Sequence, residues 1–337
     1  MSLMRRVTKN IGTSNNDQFL DLPHEVAIKR ILICRPNHRL GNLLLITPLL
    51  QEITATFPMA KLDLFVKGSV APVLFKNYPN IDAIIQLPKK PFKDLVKYQR
   101  GWMTMKKNRY DIVINVVNHS SSGKLSAQLA NAKYKFFGEI SEDIKSRYSD
   151  YDHMAKYPVY SFRDYVSKLG VTAQNKEIAS VDLKLTSEEI AEGKKILDNL
   201  IANNKRTICL FTYATGAKCY DSAWWIPFYE RLKKEYPHYN IIEVLPVENV
   251  SQIHFAAPSF YSKDIRQIGA FIANTDVFIG ADSGMMHLAS ASKTPTVGLF
   301  KVTNVEKYAP YNNKSVAIDT NTSTIDDLIK VLNNILL

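Results

Sequence analysis

Only three of the 337 residues are cysteine, and Cys34, Cys209 and Cys219 form no CxxC pair. Two of them sit in apolar runs (ILIC and TICLF), where a thiol serves as a small buried hydrophobe. That argues against a zinc ribbon or a disulfide framework, and no metal is expected. No run reaches the ~18 apolar residues of a membrane-spanning helix. The opening stretch turns polar after Met4 and lacks the apolar core of a signal peptide, so a cytoplasmic protein is expected. The thirteen glycines have no period, which excludes a collagen-like chain. The glycine pattern GxGxxG is missing too, and with it the fingerprint of a dinucleotide-binding dehydrogenase.

What remains is an ordinary globular composition, 46% hydrophobic and 22% charged, long enough for about two domains. The net charge of +11 is unevenly spread. Residues 1–180 carry 27 basic against 15 acidic side chains, a net of +12; the rest carries 16 against 17, a net of −1. The excess is densest between Lys89 and Arg109, with eight cations and the single acid Asp94. Such a run suits a solvated helix face, an anionic membrane surface, a phosphorylated acceptor or nucleic acid. Tyr98 and Trp102 interleave with it, but no RNA-recognition signature occurs, so a nucleic-acid partner is not expected.

Buried strands are predicted at 28–34, 61–66, 81–87 and 111–117, alternating with helical spacing at 41–57 and after the polar loop 118–123. The alternation restarts after a polar helix at 187–203. Strands at 207–212, 240–245, 276–279 and 296–300 alternate there with helices near 226–236, 264–274 and 285–292, and an amphipathic helix closes the chain. Alternation of this kind predicts an α/β protein of two Rossmann-like domains facing across a cleft, 1–184 and 185–337.

Three strand ends carry the chemistry. Gly280-Ala281-Asp282-Ser283-Gly284-Met285-Met286-His287 follows a buried strand and opens a helix. Asp282 or Ser283 can cap it, and the N–H groups at its positive end suit a diphosphate. The same residues also suit an ordinary cap with His287 packed inside. Thr215, Gly216 and Lys218 lie in a turn after another strand, where a ligand or a plain connection fits equally. Arg35, His38, Arg39, Gly41 and Asn42 follow the first strand.

Together these segments resemble the heptosyltransferase family of glycosyltransferases (family 9, the ADP-heptose:lipopolysaccharide enzymes). Arg39-Leu40-Gly41-Asn42 through Thr47-Pro48-Leu49-Leu50 resembles its opening signature. Asn274-Thr275-Asp276 through Asp282-Ser283-Gly284, His287-Leu288-Ala289 and Thr294-Pro295-Thr296 to Phe300 resembles its donor-site signature, with Pro310-Tyr311 after it. The resemblance implies a GT-B fold with an acceptor-binding N-terminal domain and a nucleotide-sugar-binding C-terminal one. It implies inverting transfer, without metal or other cofactor, from a donor such as ADP-heptose to a lipid-linked anionic glycan of lipopolysaccharide. The enzyme would then work in the cytoplasm, peripheral to the inner membrane. Donor contacts would fall to Thr215, Gly216, Lys218, Glu248, Asp282, Ser283, Gly284 and His287, and acceptor contacts to Arg35 and Arg39.

The sequence departs from the family pattern at three places. The family's proposed base is an Asp after the Gly of the opening signature, and here Asn42 stands there. An amide takes up no proton near neutral pH. His38 and His119 are the candidate bases that remain by chemistry, an unseen carboxylate or an inactive site being the other readings. Lys218 would replace a lysine usually found just before a tryptophan; Ser222 and Ala223 precede Trp224 here. Lys301-Val302-Thr303 replaces Gly-Pro-Thr, which adds a cation near the donor site.

Overall fold

The computed structural model describes residues 28–172, 176–311 and 313–336. The polar opening segment read above lies outside them. The chain divides into two compact units, the second beginning at Ser180.

In the first unit, β1 (Arg30–Arg35) is followed by α1 (Leu40–Leu44) and α2 (Thr47–Thr56). Sequence spacing predicts one helix here, and the structure has two. Pro48 has no N–H to offer the Leu44 carbonyl four residues back, and the Thr47 hydroxyl donates to that carbonyl instead, at 2.7 Å. Next come β2 (Lys61–Lys67), α3 (Ala71–Leu74), β3 (Ile81–Leu87), α4 (Leu95–Lys107), β4 (Arg109–Asn115), α5 (Ser121–Leu129) and β5 (Asn131–Phe136). Then α6 (Glu142–Arg147) and α7 (Tyr157–Lys168) close the unit. The five strands form one parallel sheet in the order β3-β2-β1-β4-β5. Ile31, Leu32, Ile33 and Cys34 on its central strand are fully buried, and burial pushes the Cys34 thiol far up. Arg163 of α7 holds Glu52 of α2 through two hydrogen bonds of 2.7 and 2.9 Å.

The second unit opens with α8 (Ser187–Leu200), started by a reciprocal cap between Thr186 and Glu189. It continues through β6 (Thr207–Phe211), α9 (Ser222–Glu235), β7 (Asn240–Val244), β8 (Ser259–Phe260), α10 (Ile265–Ile272) and β9 (Val277–Ala281). Then come α11 (Gly284–Ala291), β10 (Thr296–Phe300), α12 (Val305–Tyr308), β11 (Val316–Asp319) and α13 (Ile325–Leu336). Helix α9 starts four residues before the predicted 226, because Asp221 caps it by accepting from the Trp224 N–H at 3.1 Å. The six parallel strands run β11-β10-β9-β6-β7-β8.

In both sheets the order of strand addition reverses between two central strands, β1 and β4 in one and β6 and β9 in the other. Such a switch point opens a crevice at the carboxyl ends of the strands, where α/β proteins bind ligands. Both predicted sites lie at these ends. Among the described residues, no helix is long and apolar enough to cross a membrane.

Candidate functional site

Strand β9 is buried throughout and releases the chain at Asp282. Ser283, in extended conformation, caps α11: its hydroxyl accepts from the Met286 N–H at 3.3 Å. Ser283 rather than Asp282 is therefore the cap. The N–H groups of Gly284 and Met285 belong to the same first turn, at the positive pole of the helix.

Asp282 is free to do something else. Its buried carboxylate accepts from the Lys218 ammonium at 2.5 Å, and the His287 Nε2 lies 3.9 Å from its other oxygen. Lys218 comes from a 3₁₀ turn at Gly216–Lys218, after β6. Gly216 holds φ +63°, a left-handed conformation that costs glycine nothing. Lys218, Asp282, Ser283, Gly284 and His287 thus meet at the β6/β9 switch point, although 64 residues separate Lys218 from Asp282. A buried carboxylate beside a half-exposed ammonium and a helix N-terminus can hold an anion on the cationic groups and accept hydroxyl hydrogens on the acid. Thr215 is exposed at the rim of the same turn.

Lys301 does not reach this cluster through any hydrogen bond. Its ammonium donates to the Cys219 carbonyl at 2.8 Å and lies 4.5 Å from the centre of the Tyr220 ring. The added cation thereby pins the end of the turn that carries Lys218. It also lines a cavity of about 240 Å³ with Tyr220, Asp221, Trp224, Thr320 and Asn321.

Glu248 is exposed in the loop after β7 and joins none of the ion pairs above. The carboxylate that sequence reasoning missed is Glu243, fully buried in β7. The Thr212 hydroxyl donates to it at 2.5 Å and accepts from the Gln252 N–H at 3.0 Å. Burial raises the Glu243 pKa, against hydrogen bonds from Thr212 and Ser251 that lower it. The lone acid within the apolar run NIIEVL was the available signal.

In the first unit, Arg35 closes β1 and is buried, whereas His38 and Arg39 are exposed in the loop beyond it. The Asn37 side chain accepts from the Arg39 N–H at 2.8 Å, and its carbonyl accepts from the Lys67 N–H at 3.2 Å. Three strand ends therefore converge on His38. A β-carbon on Gly68 would stand 3.0 Å from that of His38 and 3.2 Å from the Lys89 side chain, and Gly68 itself needs φ +80°. Burial, then Lys89, Lys67 and Arg39, lower the His38 pKa. Asn42 sits half-buried in α1. His119 is exposed before α5, in a different loop, whose cap is Ser120.

The fold is that of GT-B proteins, two parallel-sheet α/β units with an anion-suited turn at the switch point of the second sheet. A solved family 9 glycosyltransferase from Veillonella parvula superposes with a TM-score of 0.74 over 93% of this chain and 99% of its own, at 15% identity. The ADP-heptose lipopolysaccharide heptosyltransferase II of Escherichia coli gives 0.65 over 92% and 98%, at 16% identity. In sequence, the chain is 23% identical to lipopolysaccharide heptosyltransferase 3 of Escherichia coli, across 82% of this chain and 85% of that one. The family description "Glycosyltransferase family 9 (heptosyltransferase)" matches residues 262–331, the stretch holding Asp282, Ser283 and His287. In sequence and in fold the chain is thus similar to heptosyltransferases of glycosyltransferase family 9.

Proposed function

We propose that this protein transfers a heptose, or a closely related sugar, from an ADP-sugar to an anionic core glycan of lipopolysaccharide, with inversion at the anomeric carbon. The observation that carries the donor half is the Lys218–Asp282 pair beside the capped start of α11. In this reading the diphosphate lies on the N–H groups of Gly284 and Met285, with Lys218 and His287 against its charge. The helix end and Lys218 balance the leaving diphosphate, a task that needs no metal. Asp282 receives a sugar hydroxyl, Thr215 and Gly216 border the site, and Glu248 takes the ribose hydroxyls. Names of relatives such as ADP-heptose heptosyltransferase II support the donor class.

The acceptor half rests on the first unit. His38 stands among cations that favour its neutral form, the form a general base needs. In this reading it takes the acceptor hydroxyl's proton while that oxygen attacks the anomeric carbon. Asn42 orients the acceptor, Arg35 and Arg39 bind its anionic groups, and His119 is the base if His38 is not. The enzyme works on the cytoplasmic side, peripheral to the inner membrane, where a lipid-linked acceptor is presented. In this reading the first unit takes the acceptor and the second, from Ser180, the donor.

The test is thermal stabilisation by ADP, UDP, GDP, CDP and NAD, followed by release of the stabilising nucleotide on adding a core glycan acceptor. Stabilisation by ADP alone, with ADP released from ADP-heptose, is expected. Asn42 favours a second reading, a nucleotide-sugar-binding protein without turnover. It predicts saturable donor binding with no nucleoside diphosphate released under any acceptor.

A further inference from the structure

Helix α4 is two-faced in an unusual way. Tyr98, Gly101, Trp102 and Met105 point inward; Met105 is fully buried, and Trp102 meets Phe65 edge-on at 5.1 Å. At 100° per residue, Val96, Arg100, Met103 and Lys107 fall on the opposite pole. That pole is not polar. Val96 and Met103 are each 68% exposed and Leu95 54%, and Phe92, in the 3₁₀ turn just before the helix, is 93% exposed. Lys93, Lys97, Arg100, Lys106 and Lys107 share this turn and helix with them, and Lys89, Lys90 and Arg109 flank the segment in sequence. None of these eight forms an ion pair among the described residues, and the one acid, Asp94, is engaged as the helix cap.

We infer that this face docks on an anionic phospholipid surface, with Phe92, Val96 and Met103 entering the headgroup–acyl boundary and the cations lying among the phosphates. The inference rests on the glycosyltransferase reading for its purpose and deepens it by naming the surface that presents the enzyme to a lipid-linked acceptor. Bare cations ask for an anionic partner. Outward apolar side chains ask for one that also offers hydrocarbon, which a bilayer does and a nucleic acid or soluble glycan does not. The lysine and arginine stems lie along the apolar strip while their charged heads reach the phosphates.

The experiment is co-sedimentation of the whole chain with vesicles of phosphatidylcholine alone or mixed with phosphatidylglycerol. Binding to the anionic vesicles is expected, weakening as salt rises. The combined variant Phe92→Ser, Val96→Ser, Met103→Ser should lose at least about tenfold in vesicle affinity. Lys93→Gln, Lys97→Gln, Arg100→Gln, Lys107→Gln together should lose as much and remove the salt dependence. Both variants should keep the wild-type melting shift with ADP, which reports that fold and donor site are intact. No preference for anionic vesicles overturns the inference, as does undiminished binding by the triple serine variant or capture by DNA that lipid fails to compete. If instead ADP gives no shift with the wild type while the vesicles bind, the functional reading fails and the docking surface stands.

Discussion

One stretch of the first unit treats its charges unlike the second unit. In the second, surface cations are matched locally: Lys195 with Glu192, Lys233 with Glu230, Arg231 with Glu235 and Asp326, and Lys330 with Asp327. Its candidate site follows the same habit, with Lys218 already on Asp282. The first unit also pairs cations, as Arg30 with Asp63 and Asp82, Lys156 with Asp150 and Lys168 with Asp164. Among the described residues, however, those of 89–109 form no ion pair, and Lys89, Lys67 and Arg39 crowd round His38. Exposed pairs add little stability, so the difference concerns partners more than folding. In the proposed reading, the second unit receives its ligand at a site of balanced charge, and the 89–109 stretch of the first keeps its positive charge for a larger anionic surface.

The largest expected effect tests the balanced site. Ser283→Asp keeps the helix cap, since aspartate caps as well as serine does. It also sets a carboxylate where the diphosphate would sit, a repulsion of about 4 kcal/mol for unit charges 4 Å apart near a protein surface. Affinity for ADP should fall at least about a hundredfold, with the ligand-free melting temperature nearly unchanged. Titration calorimetry alongside thermal melting separates the two. Intact ADP affinity would remove α11 from the donor site.

His38→Ala probes the other unit and should leave donor binding alone. Loss of a general base lowers turnover by about a hundredfold or more, while the ADP-sugar dissociation constant stays put. A variant with full turnover passes the role to His119, which Ala substitution tests in the same assay. A variant that loses donor affinity instead would break the division of labour between the units.

Much of this was legible from residues alone. The strands ILIC, LFV, TICLF and TVGLF announce themselves because parallel strands covered on both faces are continuously apolar. The turn at Asp282–Ser283 was legible because a buried strand, small polar residues and a helix follow in order. Strand β5, Asn131–Phe136, was not: at the sheet edge it alternates Lys133 and Lys135 outward with Tyr134 and Phe136 buried, and reads as a polar segment. The Lys218–Asp282 pair was also invisible, because strand order rather than sequence distance brings the β6 and β9 ends together. Glu243 was passed over for Glu248, because the exposed loop looked like the place for a ligand. Its burial depends on both neighbouring strands.

A subtler effect is expected where the cations of the first unit meet His38. Lys89 disfavours the imidazolium, so the acid limb of the rate profile should lie below the ordinary histidine value. Lys89→Gln removes one of the repelling charges and allows His38 to protonate more readily. Its limb in kcat/KM should move to higher pH, with the plateau retained. An unmoved limb would mean that the titrating group is elsewhere.

The smallest effect concerns the one buried acid of the second unit that breaks its habit of pairing. Among the described residues, no cation accompanies Glu243 as Lys218 accompanies Asp282, and burial raises its pKa. The folded state therefore holds a proton that the unfolded chain gives up at lower pH. Stability from this group is complete below the ordinary carboxylate pKa and declines as pH rises through the raised value. Glu243→Gln keeps an oxygen for the Thr212 hydroxyl and removes the titration. Relative to wild type, its melting temperature should rise with pH, meeting or passing wild type at pH 8. A wild type that gains on the variant with rising pH would mean that the carboxylate is stabilised in the fold, and that the second unit balances this charge as it does the others.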